Sequence, residues 1–151
     1  MKVIPLISIL CIVIGCTTKN ATFDRQKTKT EIQEFMNNYA IMLKNQIDKV
    51  GGLYYDSGAR LTFQGRSRYL VLDSLKASYA KRPKTLEYFK WEDLQVDALA
   101  EDAALVTANF YWYSRGTADT AKLSYTGLLV KTRQGWKIKH EHESGRCPRC
   151  K

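Results

Sequence analysis

Apolar and polar positions divide this chain into three regimes. Val3 to Gly15 is an almost unbroken apolar run, with Ser8 its clear polar interruption, and Thr17 to Lys29 is polar and lacks periodicity, as a linker would. Ile32, Phe35, Met36, Tyr39, Leu43, Ile47 and Val50 then recur at helical spacing and predict one long helix with a single apolar stripe. Thr30-Glu31-Ile32-Gln33 fits a capping box at its start, and Gly51-Gly52 offers the left-handed conformation that closes a helix. Leu53 to Asp56 reads as a short helical turn and Arg60 to Gln64 as a short strand. Ser67 to Lys81 reads as a second long helix stopped by Pro83.

From Thr85 onward β-branched and aromatic residues dominate, and turn-like clusters fall at Ala100-Glu101-Asp102, Gly116-Thr117-Ala118-Asp119 and Arg133-Gln134-Gly135. Four strands follow, about Leu86–Leu99, Ala103–Ser114, Ala121–Thr132 and Trp136–Ser144, joined as an antiparallel meander. Helices followed by strands predict an α+β domain with the helices on one face of a bent sheet. The expected organisation is a leader over 1–15, a flexible tether over 16–29, one domain over 30–144 and a basic tail over 145–151.

The leader carries the clearest address. Met1-Lys2, the apolar run and Val13-Ile14-Gly15-Cys16 resemble a bacterial lipoprotein signal cleaved before Cys16. A span across a bilayer needs about 20 apolar residues, so the run is short for one. An ordinary secretory signal with Cys16 incidental is the competing reading. The resemblance implies lipidation at Cys16 and a place in the cell envelope, expected at the periplasmic face of the outer membrane.

Charge does not point to nucleic acid. The chain is +9 overall, yet Glu31 to Ser144 holds 16 Lys and Arg against 14 Asp and Glu, so the excess sits in the two tails. A nucleic-acid binder concentrates its positive charge on a folded face. Lys19, Arg25, Lys27 and Lys29 read as a solvated tether near anionic headgroups.

The element order resembles the nuclear transport factor 2-like superfamily, a cone-shaped α+β fold shared with SnoaL-like cyclases and ketosteroid isomerases. Gly135-Trp136-Lys137-Ile138-Lys139-His140-Glu141-His142-Glu143-Ser144 is similar to the final strand of SnoaL-like and DUF4440-type members. Tyr54-Tyr55-Asp56 and Gly65-Arg66 are similar to motifs earlier in such domains. The resemblance implies an apolar cavity in the cone, and a fold that hosts isomerases, dehydratases, cyclases, ligand binders and dimerisation modules alike.

Steroid-isomerase chemistry fails when carried over residue by residue. Tyr39 falls where the oxyanion tyrosine would be. The base position falls at Thr62 or Phe63, and the protonated aspartate near Gly127 or Leu128, none of them a carboxylate. His140 and His142 lie two apart on a strand, on the face of Trp136 and Ile138, and are expected to point inward. They suit acid–base work near neutral pH, or a structural or ligand-orienting role. On the second long strand Ala104, Val106, Ala108, Phe110 and Trp112 are expected inward. Leu105, Thr107, Asn109, Tyr111 and Tyr113 face out, covered by a second copy or half-exposed.

The expected ligand pocket is therefore Tyr39, Phe63, Phe110, Trp112, His140 and His142. Cys147-Pro148-Arg149-Cys150 admits three readings: a thioredoxin-like redox pair, half a zinc site completed by His140 and His142, or, as favoured here, a small disulfide loop. No metal or cofactor is expected. The leading functional expectation is a lipid-anchored, homodimeric domain that binds a small apolar ligand or serves as an interaction module. The alternative is an isomerase, dehydratase or cyclase using His140 or His142 with Tyr39.

Overall fold

The computed structural model describes residues 23–82, 86–114 and 120–145. The elements run α1 (Arg25–Asn45), a 3-10 helix (Ile47–Leu53), β1 (Ala59–Phe63), β2 (Arg66–Leu70), α2 (Leu72–Ala80), β3 (Leu86–Ala100), β4 (Ala103–Ser114), β5 (Ala121–Thr132) and β6 (Gly135–Ser144). One curved, unclosed sheet has the order β2-β1-β6-β5-β4-β3. Every pairing is antiparallel except β1 with β6, which is parallel. The helices pack on the concave face, which confirms the expected α+β cone. Among the described residues no helix is long and apolar enough to cross a membrane. Cys16, Cys147 and Cys150 lie outside the described residues.

The α1 stripe is as the spacing predicts: Ile32, Met36, Tyr39 and Leu43 are buried, and Ile47 and Val50 continue the buried row in the 3-10 segment. Its start is not. Asp24, whose side chain accepts from the Lys27 N–H, caps a helix beginning at Arg25, inside the expected tether. Thr30 sits within the helix, its hydroxyl donating to the Gln26 carbonyl. Gly51 and Gly52 do not take left-handed φ values either. Gly51 is required for another reason: a Cβ there would stand 2.6 Å from the Lys76 backbone, where the 3-10 helix presses on α2.

The expected second long helix also divides. Its first residues form β2, hairpinned to β1, and only Leu72–Ala80 is helical. The pairing with β1 overrides a sequence that reads locally as helix. The four long strands fall within a residue or so of expectation. On β4, Ala104, Val106, Ala108 and Phe110 are buried, with Trp112 half-buried. Trp91 on β3 packs against Tyr39, Phe89, Phe110 and Tyr125, and its indole N–H donates to the Met36 carbonyl. That contact fixes α1 across the sheet.

Candidate active site

β6 begins with Trp136 and Ile138 buried on the concave face. Strict alternation would carry His140 and His142 to the same side. It is broken between Leu128 and Leu129 of β5: Leu129 pairs with Ile138, whereas Leu128 pairs with His140. Lys139 is therefore an extra residue, a β-bulge that inverts the phase of everything beyond it. Glu141 and Glu143 now pair with Gly127 and Tyr125, which are buried on the concave face. His140 and His142 pair with Leu128 and Thr126 on the other face, beside Arg60 and Thr62 of β1. The expectation of inward histidines is thus corrected by a one-residue bulge.

A cavity of about 430 Å³ lies between the concave face, α1 and α2, and the β1–β2 hairpin. Four of the expected residues line it: Tyr39, Phe63, Phe110 and Trp112. His140 and His142 do not. Leu43, Ile47, Leu61, Leu86 and Phe89 extend the apolar wall, while Tyr79, Arg82, Arg66, Arg68, Glu141 and Glu143 make its polar surface.

Glu141 is 5% exposed and sits within a group of tyrosines. Tyr54 donates to it at 3.0 Å and Tyr39 at 3.3 Å. The Tyr54 and Tyr79 hydroxyls are 2.8 Å apart. With the Tyr54 proton directed at the carboxylate, Tyr79 becomes the donor to Tyr54, and one relay connects α2, the 3-10 exit, α1 and β6. Tyr54 is held at that exit by a bridge to Ile138, with the Tyr55 N–H donating to the Ile138 carbonyl. Gly127 keeps the neighbouring space open, since a Cβ there would collide with the Tyr125 phenol.

Burial, reinforced by the charge of Glu143, pushes the Glu141 carboxyl well above the usual carboxylate range, although Tyr54 and Tyr39 pull against it. Glu143 is raised by burial too, and the Arg82 guanidinium partly offsets the rise. Arg82 itself is stacked 4.1 Å from the centre of the Tyr79 ring. Desolvation, with Glu141 nearby, also drives the Tyr39 and Tyr54 hydroxyls well above the ordinary tyrosine value, so they remain protonated donors.

Glu141 and Glu143 thus lie on one face of one strand at the cavity, and burial raises both carboxyls above the ordinary carboxylate range. Strict alternation along β6 assigns Glu141 and Glu143 to solvent, so the sequence pattern alone does not place them at the cavity. Among the described residues no cluster of His, Cys, Asp and Glu could hold a metal ion.

An open curved sheet closed by helices around such a cavity defines the nuclear transport factor 2-like class of protein. The SnoaL-like domain family matches residues 38–148, and the chain belongs to that family. No curated protein matches the chain. Solved structures share its fold. A nuclear transport factor 2-like protein of unknown function from Shewanella oneidensis is 19% identical with a TM-score of 0.65, over 78% of this chain and 99% of its own. A protein from Novosphingobium aromaticivorans bearing the provisional name scytalone dehydratase is 14% identical with a TM-score of 0.66, over 81% and 86%. A protein from Parabacteroides distasonis bearing the provisional name ketosteroid isomerase is 18% identical with a TM-score of 0.61, over 78% and 86%.

Proposed function

We propose that the cavity binds a small, largely apolar carbonyl compound and moves a proton on it, as an isomerase or dehydratase of the SnoaL-like kind. The observation that carries this reading is the pair Glu141, buried, and Glu143, half-buried, which meet the cavity together with a tyrosine relay behind Glu141. It replaces His140 and His142 as the proton carriers. The provisional names of the two fold neighbours, a dehydratase and an isomerase, lie in the same class of chemistry.

In this mechanism Glu143, ionised beside Arg82, takes a proton from the carbon next to the carbonyl. Glu141, protonated and fixed by Tyr39 and Tyr54, donates a hydrogen bond to the carbonyl oxygen as negative charge collects there. Return of the proton from Glu143 to a different carbon completes an isomerisation. Departure of a β-hydroxyl, protonated by the proton that Glu143 took and released as water, completes a dehydration and leaves both glutamates in their starting states. The apolar wall excludes water and strengthens both interactions.

The test is a panel of small β,γ-unsaturated ketones and β-hydroxy ketones, followed by the ultraviolet absorbance of the conjugated enone. Turnover that falls about 10²- to 10⁴-fold in Glu143→Gln, with binding of the ketone kept, supports the reading. Ketones that bind without turnover in the wild-type protein would leave a non-catalytic ligand-binding domain instead. Anchoring through a lipidated Cys16 at the outer membrane, and pairing of two copies over the convex face of the sheet, complete the proposal. The intact mass of protein extracted from its own membranes, read before and after cross-linking, tests both.

A further inference from the structure

The cavity has a second polar region at its mouth that proton transfer does not use. Leu61 and Phe63 of β1 line the cavity, and their cross-strand partners on β2 are Arg68 and Arg66. Directly paired residues share a face of a hairpin, so both guanidiniums stand over the opening rather than behind it. Phe63 is 47% exposed and marks that region as the rim. Arg60, on the opposite face of the same hairpin, is engaged with Ser67.

Arg66 and Arg68 have no ion-pair partner among the described residues; the ion pairs there are Lys122 with Glu92 and Lys131 with Glu31. Arg82 lines the cavity from the end of α2, stacked on Tyr79. Arg66 and Arg68 thus put positive charge at the rim, whereas Arg82 stands with the carboxyls of β6 and the tyrosines, and Leu61 and Phe63 of β1 lie between the two groups. Arg66 and Arg68 are both exposed, so an anionic head can reach them from solvent.

We infer that Arg66 and Arg68 form an anion clamp, and that the ligand is an amphiphile with an apolar body and one carboxylate, sulfonate or phosphate head held at the rim. The inference rests on the cavity reading above and names the ligand class for it. The guanidinium fork suits such heads, since it meets two oxygens at once. The clamp sets the direction of entry: the head stays at the mouth and the opposite end reaches Glu143.

Two fluorescent probes that share an arylamine body test it, 1-anilinonaphthalene-8-sulfonate and the uncharged N-phenyl-1-naphthylamine, titrated into the folded protein. The sulfonate is expected to bind more tightly, and to weaken as salt is raised while the neutral probe does not. Arg66→Ala with Arg68→Ala is expected to cost the sulfonate about tenfold more in affinity than it costs the neutral probe, with Arg66→Lys and Arg68→Lys intermediate. Trp112→Ala, in the wall, is expected to weaken both probes. Equal binding of the two probes, or a sulfonate affinity insensitive to the double substitution, would overturn the clamp and leave the cavity reading intact. Failure of both probes to bind would overturn the two together.

Discussion

The two halves of β6 are one strand with opposite duties. Up to Ile138 it is ordinary core: Ile138 is fully buried, and the Trp136 indole donates to Glu31 on α1. Beyond the Lys139 bulge the same concave face presents two carboxyls, neither neutralised by an ion pair among the described residues. The first half is apolar core; the second half places two carboxyls where burial raises their affinity for protons. A single extra residue separates the two.

Substitutions on either side of the bulge should therefore behave differently. The largest effect is expected at Ile138→Ala, which should lower unfolding free energy by about 2–5 kcal/mol in urea titrations, through lost burial and the cavity left behind. Glu143→Ala should leave stability unchanged or raise it, because it removes a half-buried carboxylate that raises the proton affinity of Glu141. A comparable loss at both positions would erase the distinction.

Next in size is Glu141→Ala. It strips the acceptor from the Tyr39 and Tyr54 hydroxyls, at a cost of about 1–3 kcal/mol in the same measurement. Glu141→Gln keeps an acceptor and should cost less.

The pH dependence follows from the raised carboxyls. In the unfolded chain a glutamate releases its proton near pH 4.5, whereas folded Glu141 and Glu143 retain theirs to higher pH. Between those points the folded state binds more protons, so stability should fall as pH rises through the raised values. Denaturation midpoints at pH 6 and pH 9 should differ in that sense, and the slope should flatten in the Glu141→Gln, Glu143→Gln double variant. The smallest effects are expected at His140→Ala and His142→Ala, within about 0.5 kcal/mol and without influence on ketone turnover.

Much of this fold can be read from the chain because its signals are local. β3 to β6 declare themselves through alternation and turn residues, and the α1 stripe through helical spacing. What cannot be read locally depends on a distant partner. Arg66–Leu70 becomes a strand only because β1 lies beside it, and the start of α1 is hidden in a polar run where Asp24 is one candidate cap among several. The site was half legible. Tyr39, Phe63, Phe110 and Trp112 follow from pattern and resemblance, but Glu141 and Glu143 depend on a bulge created between two strands. The alternation along β6 alone contains no mark of it.

The placement of β6 between β1 and β5 also has a consequence for the order of assembly. The β1–β2 hairpin reaches the rest of the sheet through β6, across some of the longest sequence separations in the molecule. During synthesis the meander of β3 to β5 can pair as it emerges, while the hairpin waits for the C-terminal strand to dock between them. Rim, wall and carboxyls then come together in one event, so the cavity is complete only once β6 has docked.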